Sequence, residues 1–84
     1  MILGALASHF QTVEVGASYR RVGAGAFVET AYVLDVAEDK LGIPHVRFQL
    51  QVARRGTTQP TVETRTLSLE AFQSKFRDRV KERH

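Results

Sequence analysis

The run His45-Val46-Arg47-Phe48-Gln49-Leu50-Gln51-Val52-Ala53 alternates apolar and polar side chains along its length. Val46, Phe48, Leu50 and Val52 fall on one side of an extended chain, and Arg47, Gln49 and Gln51 on the other. That period of two describes a strand with one dry face and one wet face. The run Ala26 to Val36 lies just upstream and is the natural antiparallel partner. Its even positions, Val28, Thr30, Tyr32, Leu34 and Val36, make the more apolar side, while Phe27, Glu29, Ala31, Val33 and Asp35 are mixed. Apolar residues on both sides of so long a strand predict a bend, with one part of the core served first and another later.

Working outward, Ala37 to Pro44 joins the two runs as a hairpin loop. Acids open it, Gly42-Ile43-Pro44 closes it, and Pro44 holds Ile43 extended. Arg54 to Pro60 is a second, polar loop. Thr61 to Thr66 is rich in β-branched residues and reads as a further strand; flat and low in charge, it suits a sheet edge. Upstream, Tyr19 to Val22 is strand-like, and Gln11 to Val15 is a short strand or an extended lead-in. Gly23-Ala24-Gly25 is a turn.

The two ends read as helices. Ile2, Leu3, Leu6, His9 and Phe10 share one side of a short helix over residues 1 to 10, which must lid the sheet or dock on another copy. Ser68 is placed to accept from the first free amides of a helix over residues 69 to 82, and Glu70 complements its dipole. Leu69, Phe72, Phe76 and Val80 form the stripe that packs on the sheet, with Lys75, Arg77, Arg79 and Lys81 in water.

Composition bounds the function. The chain has 84 residues, enough for one domain with a β core over residues 12 to 67. Cysteine is absent, which excludes disulfides, thiolate metal sites and a cysteine nucleophile, and a reducing cytosol is the expected compartment. The formal charge of +3 resides wholly in the segment from Lys75 onward, where Lys75, Arg77, Arg79, Lys81 and Arg83 outnumber Asp78 and Glu82; residues 1 to 74 are balanced. The apolar start lacks a preceding basic residue and is too short for a signal core or a membrane span, so the expectation is a soluble chain beginning at Met1.

Brief strands joined by glycine-bearing turns, about four or five in number, predict a mainly β fold, a small antiparallel barrel or a curled sheet with terminal helices. The segments Tyr19-Arg20-Arg21-Val22-Gly23-Ala24-Gly25, Val28-Glu29-Thr30-Ala31 and Asp39-Lys40-Leu41-Gly42-Ile43-Pro44-His45-Val46-Arg47-Phe48 resemble those of small uncharacterised bacterial proteins with an SH3-like barrel. The resemblance implies the barrel, and it carries over no functional residue.

Catalytic patterns are missing. His9, His45 and His84 have no second ligand at helical or strand spacing, so no metal or cofactor is expected, and His45 is expected to bond the backbone of the hairpin loop. Ser8, Ser18, Ser68 and Ser74 occupy no nucleophile elbow. Asp35, Glu38 and Asp39 read as a solvated loop rather than a cation site. What remains is a non-enzymatic binding module whose partner is another protein or a second copy, using the Thr-rich edge or the first helix. The alternative is a weak nucleic-acid binder drawing on Arg20, Arg21, Arg54, Arg55 and the basic C-terminal helix through Lys75 and Arg79. Glu14, Glu29, Asp35, Glu38, Asp39 and Glu63 oppose that alternative by neutralising the same region.

Overall fold

A computed structural model describes residues 13–23, 27–54 and 61–81. The alternating run is β3 (Pro44–Arg54), flanked by β2 (Phe27–Glu38) and β4 (Thr61–Ser68). With β1 (Ser18–Val22) and β5 (Asp78–Arg79) they form one antiparallel sheet in the order β4-β3-β2-β1-β5. A single described helix, α1 (Leu69–Lys75), follows β4. β4 and β5 stand at opposite ends of the sheet, so among the described residues the sheet is open and does not close into a barrel.

β3 behaves as its alternation requires. Val46, Phe48 and Leu50 are buried, while Arg47, Gln49 and Gln51 are exposed. β2 departs from expectation, because Ala31 and Val33 are its fully buried residues and Tyr32 is exposed. Register explains the difference: Ala31 stands opposite Leu50 and Val33 opposite Phe48, which commits the odd side to the core. Leu34 is then an extra residue in a bulge, where pairing shifts between Val33 and Asp35. Beyond it the faces exchange, and Val36 packs against the core opposite Val46. The predicted change of face is real, but the even side, expected to be the more apolar, reaches the core only after the bulge, at Val36.

α1 covers only the face that carries this core. Ser68 caps it, its Oγ accepting from the Ala71 amide at 3.1 Å, and Leu69, Phe72 and Phe76 are buried. The rings form a connected cluster, with Phe72 at 5.1 Å from Phe48, 5.6 Å from Tyr19 and 5.0 Å from Phe76. The Phe72–Phe48 and Phe72–Tyr19 pairs meet edge-on, and pairs of that kind each add about 0.5–1.5 kcal/mol beyond their burial. The helix is half the expected length. Its last backbone bond runs from the Phe76 amide to the Phe72 carbonyl at 2.8 Å, after which the chain extends into β5. There Arg79 and Asp78 pair with Tyr19 and Arg20, and the Val80 amide donates to the Ser18 carbonyl at 2.9 Å. The predicted helix over residues 69 to 82 is therefore corrected to a short helix and a return strand, and its basic residues do not line a helical face.

The expected contact of His45 with the backbone of the hairpin loop is met. His45 Nδ1 lies 2.9 Å from the Ile43 carbonyl oxygen, which can only accept, so Nδ1 carries the proton. Gly42 holds a φ of 80°, a conformation that costs a side-chain-bearing residue about 1–2 kcal/mol. Val13 to Val15 forms no strand; it enters a turn at Val15-Gly16, closed by the Ala17 amide on the Glu14 carbonyl at 3.2 Å. The helix expected over residues 1 to 10, the turn centred on Ala24 and the loop from Arg55 lie outside the described residues.

Candidate functional site

The two edges of the sheet are finished differently. At the β1 edge, β5 pairs with Tyr19 and Arg20, and an ion pair from Arg79 to Glu14 ties the return strand to the turn before β1. Both partners are exposed, so this pair is worth less than about 1 kcal/mol. The backbone pairing does most of the closing.

At the other edge, β4 pairs only with β3, from His45 opposite Ser68 to Val52 opposite Thr61. Alternate residues of an antiparallel strand turn their amide and carbonyl toward each neighbour, so roughly half of β4's backbone polar groups point away from the sheet. Thr61 to Thr66 are all exposed, and among the described residues no other strand covers them. The β-branched content that marks this stretch as a strand also keeps it extended without a second neighbour.

The side chains of β4 alternate between the faces. Thr61, Glu63, Arg65 and Leu67 oppose Val52, Leu50, Phe48 and Val46 on the helix-covered face. Val62, Thr64 and Thr66 oppose Gln51, Gln49 and Arg47 on the open face. Glu63 and Arg65 form an ion pair with each other beside the shallow gap under Phe76. Charged residues turned toward the core side of an edge strand ordinarily discourage pairing. Here the two charges are of opposite sign, so the edge has no net repulsion of its own.

The open face is polar. Tyr32 is exposed, but it is flanked in register by Ser18 and Gln49, and Thr30 by Arg20 and Gln51. Exposed Val22 and Val62 stand on different strands at opposite sides of that face. A cleft of about 410 Å³ lined by Val13, Tyr19, Gln73, Phe76, Arg77 and Arg79 lies beside β5 and is open to solvent. Among the described residues no three of His, Asp and Glu converge where they could hold a metal ion. No described helix is long and apolar enough to cross a membrane.

The basic residues considered for nucleic-acid binding are not gathered. Arg20 points to the open face, and Arg21 to the covered face opposite Glu29. Arg54 lies over the Phe27 ring, 5.6 Å from its centroid. Lys75 ends α1 and Arg79 is paired with Glu14. Arg55 is outside the described residues. That Arg20 and Arg21 must diverge follows from their adjacency on a strand. The capping of the β1 edge, by contrast, has only a faint sequence signal, the alternation of Arg77-Asp78-Arg79-Val80.

No protein-family model, curated protein or solved structure matches this chain significantly. The fold and the unequal edges therefore stand as the basis for assigning a role.

Proposed function

We propose that this chain is a non-enzymatic binding module that takes an extended segment of another protein alongside β4, adding a strand to its sheet. The observation that carries the reading is the contrast between a β1 edge capped by the two-residue β5 and an eight-residue β4 that no other strand covers among the described residues. Main-chain hydrogen bonds to an open edge supply affinity, and alternate side chains of the added strand supply selectivity. The added strand would meet Glu63 and Arg65 on the covered side, and Val62, Thr64 and Thr66 on the other. It should therefore be extended, free of proline and mixed in charge.

The test is selection from a displayed random-peptide library, followed by titration of the best peptide into isotope-labelled protein. Amide shifts confined to β4 and the β3 residues behind it support the reading. The same peptide methylated at alternate backbone nitrogens should lose binding, because the donors that form the ladder are gone. Peptides that move only the amides of the open face or of the cleft beside β5 would sink it. So would an oligonucleotide that binds with a steep salt dependence while no peptide engages β4.

A further inference from the structure

We infer that the strand received by β4 is β4 of a second copy, paired antiparallel about a two-fold axis that passes between Thr64 and its own counterpart. This rests on the reading of β4 as a receptive edge and adds the identity and register of the partner. In an antiparallel ladder, residues directly opposite each other point to the same face, so self-pairing about a two-fold must centre on a residue rather than between two. Charge selects among the centres. Centring on Glu63 sets that carboxylate against its own copy, and centring on Arg65 does the same with the guanidinium. Centring on Thr66 leaves each Arg65 opposite an apolar Leu67. Centring on Thr64 places Glu63 opposite the partner's Arg65 and Arg65 opposite the partner's Glu63, satisfying both charges twice.

The same register sets Val62 against the partner's Thr66 and Thr61 against the partner's Leu67, so β-branched residues dominate the remaining pairs. It also avoids collision. Each α1 leaves β4 at Ser68, so the two helices start over the same face at opposite ends of the paired strands, about 27 Å apart by strand rise. Two short strands bury less than a standard interface, so the dimer should be reversible.

Light scattering coupled to size exclusion on the full chain should give, at high concentration, twice the 9.4 kDa of one chain, falling toward one chain on dilution. Glu63→Arg and Arg65→Glu, each placing like charges opposite at two symmetric points, should each weaken the dimer about 10- to 30-fold. The double variant should return to within about threefold of the parent. Far-ultraviolet circular dichroism confirms that each variant is folded. Because the chain has no cysteine, single-cysteine variants report the register directly. Thr64→Cys should cross-link between copies on mild oxidation, and Thr66→Cys should not. A dimer that ignores the charge reversals, or that cross-links through Thr66→Cys as fast as through Thr64→Cys, overturns the register. A chain monomeric at every concentration, while a selected peptide still shifts β4 amides, overturns self-pairing and leaves the receptive edge standing. A monomer with no peptide response at β4 ends both.

Discussion

A carboxylate at the first position of a tight loop has several backbone amides within reach, and Asp39 uses two of them. Its Oδ1 accepts from the Leu41 amide at 2.8 Å and the Ile43 amide at 2.9 Å, while its own amide donates to the Ile43 carbonyl at 2.9 Å. Bonding to the Ile43 amide is the largest cause holding the Asp39 carboxyl below its ordinary pKa. The Leu41 amide and the His45 ring, 3.8 Å from Oδ2, act in the same direction. A depressed folded pKa means stability that is complete above the unfolded value of about 4 and is lost as pH falls through the folded one. Thermal midpoints measured between pH 2 and pH 6 should therefore show a loss at the acid end that is smaller in Asp39→Asn, which keeps an acceptor oxygen but cannot titrate. Identical acid profiles for parent and variant would remove Asp39 as the source. Both Asp39 and His45 stabilise the hairpin that fixes the β2–β3 register, which is why the loop matters beyond its own residues.

At the scale of elements, what could be read from the chain depended on whether a pattern had one physical solution or two. β3 had one, since only a strand alternates as His45 to Ala53 does, and its dry side is the core. Ser68 and the His45 contact were legible for the same reason, each following from a local geometry. The even and odd sides of β2 both carry apolar groups, and only pairing with β3 decides between them; the bulge at Leu34 then lets both be used in turn. The segment after Phe76 fits either a helical stripe ending at Val80 or an extended alternation. The unpaired β1 edge, distant in sequence, selects the second. The candidate edge was legible in its Thr-rich composition, whereas its contrast with a closed β1 edge was not. Mutation separates the two faces of β2. Val33→Ala should cost about 2 kcal/mol or more through the cavity it leaves, whereas Tyr32→Ala should stay within about 0.5 kcal/mol. Phe72→Ala, at the centre of the ring cluster, should cost about 3–5 kcal/mol and consume much of the stability of so small a domain. Urea midpoints in which Tyr32→Ala is the costlier of the β2 pair would reverse the assignment of faces.

For the whole molecule, the consequence of unequal edges is a limit on assembly. One long open edge meeting its own copy through a two-fold closes at two chains when the edge left over is the two-residue β5, too short to template a further strand. Two open edges on the same sheet permit β4 of one copy to meet β1 of the next, a head-to-tail contact that continues indefinitely. β5 contributes little to the core, being two exposed residues, but it occupies the backbone of Ser18 to Arg20 that would otherwise be free. So short a strand ends the sheet with little edge left to pair. Removing residues from Asp78 onward leaves α1 and Phe76 in place, so the ring cluster and fold should survive while the β1 edge is exposed. The shortened chain should then form polydisperse species larger than a dimer in light scattering, increasing with concentration and binding a cross-β dye. Adding Glu63→Arg to it should slow that growth only if β4 is the partner edge. A shortened chain that stays folded and keeps the same mass distribution as the parent would show that β5 does not guard the edge it covers.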